Sequence, residues 1–163
     1  MRKSLIKKHI TKEMRGIEIA PWHSPIAAKI GGYKVEILDI FDADQLRKKC
    51  LADPSNRHRV SSIEEVDYVT SALDIDSAIE NAGHLGKYDY ILSSHNFEHL
   101  PNPIKFLQAC AKVLKSHGCL SMAIPSKNYT FDFFRGLTLV ILPFCRGRRS
   151  RNVMQPWPAA AWV

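Results

Sequence analysis

The sequence predicts an α/β fold built on a doubly wound, mostly parallel sheet. Three observations carry that expectation: apolar runs of strand length alternate with amphipathic runs of helix length, turn residues stand at the junctions, and no segment repeats. Strands joined through helices pair in parallel by right-handed crossovers, which leaves few arrangements. An order of 3-2-1-4-5 is the expected one.

Residues 16–20 (GIEIA) form a short strand closed by Pro21. A second strand, 34–40, follows the Gly31-Gly32 turn. Residues 43–52 read as a helix, with Asp42 as its cap and Leu46 and Cys50 four apart on one face, and Asp53-Pro54 breaks it. A weaker third strand covers 66–69, a short helix 74–82, and a fourth strand 88–93. Pro101-Asn102-Pro103 introduces a helix over 104–114 whose Ile104, Leu107, Ala111 and Leu114 share a face. Gly118 is expected to end that helix as a left-handed cap, before a fifth strand over 119–124 closed by Pro125.

A chain of 163 residues with 45% hydrophobic and 24% charged residues suits one soluble domain with a real core. Its net charge of +7 would suggest an acidic partner, but the charge sits at the ends. Six Lys/Arg lie in residues 1–15 and four Arg in 146–151, so the middle keeps 13 basic against 15 acidic residues. A nucleic-acid face built into the fold is not expected, and the ends read as solvated termini. Cys50, Cys110, Cys119 and Cys145 have neither zinc nor disulfide-framework spacing, which points to a reducing cytoplasm. The cationic start lacks the apolar core of a signal peptide. The longest apolar run, 137–145, is too short to span a membrane.

The most informative stretch is YDYILSSHNFEHLPNP, residues 88–103, where a strand stops in a polar, histidine-bearing loop that leads into a helix. In open α/β sheets such loops line the crevice at the strands' carboxyl ends. Asp39 stands at the tip of the second strand, 19 residues after Ala20, where a carboxylate can accept from both hydroxyls of a ribose. The plainer alternative is an acid that only ends its strand. No G-x-G-x-x-G loop follows the first strand, so a backbone cradle for a pyrophosphate is not encoded and NAD or FAD is disfavoured. His95-Asn96-Phe97-Glu98-His99 also spells H-x-x-E-H, an inverted zincin pattern. That chemistry needs both imidazoles on one helix face, whereas here the pattern follows a strand directly and Pro101 cuts it, so no metal is expected.

A nucleoside ligand without pyrophosphate needs the acid and the close turn but no anion cradle. From about residue 16 to 135 the chain resembles the class I S-adenosylmethionine-dependent methyltransferases, with their Rossmann-like sheet. The likeness rests on GIEIAP, on ILD ending in Asp39, on YDYILSSHNFEHLPNP, and on FLQACAKVLKSHGCLSMAIP. Ala20 stands where glycine is usual in that family.

The resemblance implies S-adenosylmethionine as cofactor, with Glu18 and Ala20 beside its methionine moiety and Asp39 on its ribose. It implies Ser71, Ala72 and Leu73 flanking the adenine, and Ser94 and His95 facing the cofactor from the fourth strand. His95 is the candidate base for an acceptor that must lose a proton, while Glu98 and His99 fix the loop to the following helix. Tyr129 is the candidate for lining the acceptor pocket. The acceptor itself is expected to be a small molecule, a sugar or a lipid-linked compound.

The chain therefore divides into a basic segment (1–15), the Rossmann-like domain (16–135) and an atypical tail (136–163), a candidate for disorder. The family's last two strands are not recognisable in that tail, which would leave the fifth strand as a sheet edge. Ala20, the missing strands and the arginine-rich end support a second expectation, a Rossmann-like domain that binds or interacts without catalysing. His84 and His117, beside glycines in turns, are expected to be solvated.

Overall fold

The computed structural model of the chain describes residues 2–125. Tyr129 and the tail over 136–163 lie outside the described residues. A five-stranded parallel sheet organises the domain: β1 (Arg15–Ile19), β2 (Lys34–Asp39), β3 (Tyr68–Val69), β4 (Tyr88–Ser94) and β5 (Leu114–Ala123), in the order β3-β2-β1-β4-β5. α1 (Arg2–Ile6) precedes the first strand, and between the strands run α2 (Ala43–Ala52), α3 (Ile75–Asn81) and α4 (Pro103–Val113). The order reverses between β1 and β4, which both leave the sheet centre in the same direction. A crevice opens there by geometry.

Strand alternation distributes the core over both faces. Ile17, Ile19, Leu38 and Ile91 pack with Ile75 and Ile79 of α3 and with Phe106, Cys110 and Val113 of α4. Val35, Ile37, Tyr90 and Leu92 face the other way, onto Ile6, Ile10, Ile26 and Ala27. The basic N-terminal segment thus contributes two buried apolar residues, and the Ser121 hydroxyl donates to the Ile6 carbonyl at 2.7 Å. Gly16 is required by close approach: a Cβ there would fall 2.1 Å from the ring of Tyr90, its partner across the β1–β4 pairing.

Helix starts follow the local chemistry of the sequence. Asp42 accepts from the Gln45 N–H at 2.8 Å while the Gln45 side chain accepts from the Asp42 N–H at 3.1 Å, a reciprocal capping box. Asn102 caps α4 by accepting from Lys105 N–H at 2.9 Å, with Pro103 as the first helical residue.

Several expectations differ from the structure for identifiable reasons. The third strand shortens to Tyr68–Val69: the Asp67 N–H donates to the Ile37 carbonyl at 2.9 Å, but the Ile37 N–H turns to the Asp67 carboxylate at 2.7 Å instead of to a backbone carbonyl. Gly118 is not a left-handed cap, since α4 ends at Val113 and Leu114 already has extended backbone with ψ 148. The carbonyl of Lys112 is instead satisfied by Gly86 N–H at 3.1 Å. Residues 115–118 form an irregularity within β5: Tyr88 lies opposite Leu114, yet Tyr90 lies opposite Cys119. Lys115 holds this bulge by an ion pair with Asp89 at 2.7 Å.

His84 is half-buried rather than solvated. Its Nδ1 accepts from the Arg15 guanidinium at 3.0 Å, and Arg15 also donates to Glu36 at 2.7 Å. The hydroxyls of Tyr68 and Tyr88 both donate to the second oxygen of Glu36 and lie 3.1 Å apart. This network ties four strands together at the end of the sheet opposite the crevice. The Arg15 ion pair and the two phenols hold the Glu36 carboxyl below its usual range despite its partial burial.

Candidate functional site in the crevice between β1 and β4

Two adjoining cavities occupy the carboxyl ends of the strands, sharing Ile19 and Ala20 as their common wall. The smaller, of about 100 Å³, is bounded by Asp39 and Ile40 at the end of β2, by Thr70 and Ala72 after β3, and by Asn96. The larger, of about 230 Å³, is bounded by Glu18, by the loop from Ala20 to Ser24, and by Ser94 and His95 at the end of β4.

Asp39 is buried at 5% exposure. One carboxylate oxygen accepts from Phe41 N–H at 3.1 Å, and the other has no hydrogen-bond partner among the described residues. Burial raises its pKa above the ordinary value against the pull of the Phe41 and Ile40 amides and of Lys49. Ile40, although apolar, is 61% exposed on the cavity wall beside it. The smaller cavity thus pairs an under-satisfied acceptor with an apolar surface, the combination that suits a polyol joined to a flat ring.

Glu18 is buried at 2% exposure on β1. Its two oxygens accept from Ile26 N–H at 2.7 Å and Ala27 N–H at 2.9 Å, which fastens the far end of the loop to the strand. Burial nonetheless raises its pKa, those two amides opposing the shift. The near end is fastened by Ala20, whose N–H donates to the Leu38 carbonyl at 2.8 Å.

Backbone strain concentrates here. Among the described residues three non-glycine residues have positive φ: Ala20 at 48°, Trp22 at 46° and His95 at 55°. All three border the larger cavity. Left-handed backbone at such residues persists only where the surroundings over-determine it, and it gathers at functional sites. Unpaired polar atoms concentrate in the same place: Trp22 Nε1, His23 Nδ1 and Ser94 Oγ are buried without a partner among the described residues. Strained backbone thus gathers where the loop after β1 meets the end of β4.

The His95 side chain is 47% exposed at the mouth of this cavity, with Glu98 at 3.7 Å from its Nδ1 and His99 at 3.8 Å from the same carboxylate oxygen. Glu98 stands between the two imidazoles. Among the described residues no group of three His, Cys, Asp or Glu converges to hold a metal.

Of the residues expected from the sequence, Glu18, Ala20, Ser94 and His95 come together in one cavity, and Asp39 and Ala72 in the other. Ser71 and Leu73 flank Ala72 but face elsewhere, the Ser71 hydroxyl accepting from Leu73 N–H at 3.2 Å and Leu73 packing on the core. Sequence reasoning missed Trp22, His23, Ile40, Thr70 and Asn96. A polar-aromatic pair directly after a strand, and an apolar residue directly after its terminal acid, were the available signals.

A family model for a methyltransferase domain matches residues 4–161, on both sides of the 16–135 span. A ubiquinone biosynthesis O-methyltransferase of Pectobacterium atrosepticum is 29% identical over 101 residues, covering 60% of this chain and 40% of that protein. Another, of Marinobacter nauticus, is 30% identical over 71 residues, covering 44% of this chain and 29% of that protein. The chain thus spans less than half the length of these curated relatives. Among solved structures, a protein of Galdieria sulphuraria described as a sarcosine dimethylglycine methyltransferase superposes with a TM-score of 0.50 at 21% identity, covering 74% of this chain and 45% of that one. That likeness concerns the fold.

Proposed function

This chain belongs to the methyltransferase-domain family, and from that premise we propose that it transfers a methyl group from S-adenosylmethionine to a hydroxyl of a small-molecule, sugar or lipid-linked acceptor. The observation that carries the reading is Asp39, a buried carboxylate at the topological switch point that borders the smaller cavity, with one oxygen accepting from Phe41 N–H. The residues present fit the cofactor: an acceptor for a ribose and an apolar wall for a base at the smaller cavity, with the larger cavity adjoining it. The names of the relatives support oxygen as the methylated atom.

When bound, S-adenosylmethionine supplies a methyl group already activated by a sulfonium. The protein's own task is then mainly to hold donor and acceptor in line. Asp39 accepts from the ribose hydroxyls, and Ile40 and Ala72 cover the base, with Ser71 and Leu73 shaping the turn behind it. Glu18 fixes the loop and places a buried negative charge near the cationic end of the ligand. His95 takes the acceptor's hydroxyl proton on Nε2, and Glu98, facing Nδ1, stabilises the imidazolium that results.

Calorimetric titration with S-adenosylmethionine tests this. Micromolar uptake by the native chain that is lost in Asp39→Ala is the expected result. No heat at millimolar ligand would refute it.

A further inference from the structure

We infer that Lys49 of α2 is a positioning residue for Asp39: seated on the Phe41 ring, its ammonium steadies the turn whose N–H holds that carboxylate and keeps the carboxylate charged for a ribose. The inference rests on the ribose reading above. Lys49 lies in the last turn of α2, whereas Phe41 lies in the turn that enters the helix. A helical side chain leans toward its helix N-terminus, so Lys49 comes back to that entrance. Its Nζ stands 3.1 Å from the centroid of the Phe41 ring, well within the range at which an ammonium is attracted to a ring face.

Phe41 links this cation to the crevice. Its ring packs against the cluster of Leu46, Cys50 and Ile63, and its N–H donates to the Asp39 carboxylate at 3.1 Å. A cation on the ring therefore acts on the backbone that caps the carboxylate. Its charge is felt there as well: burial pushes the Asp39 pKa up, and Lys49 opposes that push together with the Phe41 and Ile40 amides. The ionised carboxylate can only accept, which is what two ribose hydroxyls require.

The other walls around Asp39 bring no charge. β1 and its loop present Ile19 and Ala20, the stretch after β3 presents Thr70 and Ala72, and the loop after β4 presents Asn96. The acids at the start of α2 are engaged elsewhere, Asp42 with the Gln45 N–H and Asp44 with Arg47. Lys49 is thus the cation that balances a carboxylate of 5% exposure. Water screens part of its field, since Lys49 is itself exposed, and the effect is a few-fold one. A cation in a last helical turn also suits the helix dipole, but that structural part would leave Asp39 untouched.

The test compares the native chain with Lys49→Met, which keeps the stem, and Lys49→Arg, which returns a charge to the ring. Carbon-13 NMR follows the Asp39 carboxyl in the ligand-free chains as pH is lowered, and calorimetry measures affinity for S-adenosylhomocysteine at neutral and acidic pH. Lys49→Met should move the Asp39 midpoint upward, and Lys49→Arg should restore it. Affinity falls as pH drops through that midpoint, so Lys49→Met should lose roughly threefold more affinity on acidification than the native chain does. The same midpoint in the native chain and Lys49→Met, or a midpoint that arginine fails to restore, overturns the role of Lys49 whether or not the ligand binds. Equal loss of affinity on acidification in those two chains overturns it as well. Midpoints that shift as expected, with no uptake of S-adenosylhomocysteine by any chain, uphold the coupling of Lys49 to Asp39 and overturn the ribose reading instead.

Discussion

Replacing Glu18 with alanine removes the only described acceptor for two buried backbone donors, Ile26 N–H at 2.7 Å and Ala27 N–H at 2.9 Å. Each donor left unsatisfied costs about 1–3 kcal/mol, and relief from burying a charge at 2% exposure offsets part of the total. A net loss of about 2–4 kcal/mol is expected, which for a chain of this size lowers Tm by about 5–15 °C. Urea denaturation monitored by circular dichroism measures it. The pH dependence has a definite sign. Burial holds the Glu18 carboxyl above its ordinary value, so the folded chain binds its proton before the unfolded chain does. The stability from that proton is fully present below the unfolded pKa and is lost as pH rises through the folded one, so the gap between native and variant widens on acidification. Asp39, also raised by burial, acts in the same direction and is common to both chains. A loss below about 0.5 kcal/mol, or a gap that narrows in acid, would refute the role assigned to this carboxylate.

Other perturbations follow from the same contacts. Gly16→Ala places a Cβ 2.1 Å from the Tyr90 ring and should cost about 1–3 kcal/mol in urea denaturation, because that ring is fully buried and must shift. Tyr88→Phe removes the hydroxyl shared among Glu36, Tyr68 and Arg15 and should cost about 1–3 kcal/mol, measured in the same way. Ala20→Gly releases a residue held at φ 48°, and the relief of about 1–2 kcal/mol exceeds the added freedom of the unfolded chain, so a small gain in stability is expected.

What the sequence disclosed depended on whether the cause was local. β2 and α2 are delimited by neighbours in the chain, the Gly31-Gly32 turn and the Asp42–Gln45 box, and both were legible within a residue. β3 was overestimated because the Ile37 N–H turns to the side chain of Asp67, a contact that depends on β2 being alongside. Gly118 misled because the end of α4 is satisfied by Gly86, 26 residues upstream of Lys112. Ile6 and Ile10 were obscured by the lysines around them. In the site, Asp39 was visible from its place at a strand tip. Trp22 and His23 were not, since left-handed backbone at non-glycine residues and unpaired buried atoms exist only once the loop has closed. The network of Arg15, Glu36, Tyr68, His84 and Tyr88 was hidden for the same reason: its members are scattered along the chain and meet only in the sheet.

A crystal structure of the chain with S-adenosylhomocysteine addresses the central claim most directly. The account predicts the nucleoside across the carboxyl ends of β1 and β4, with both ribose hydroxyls within hydrogen-bond distance of the Asp39 carboxylate. Density for the ligand in another place, or a ribose turned away from Asp39, would contradict it.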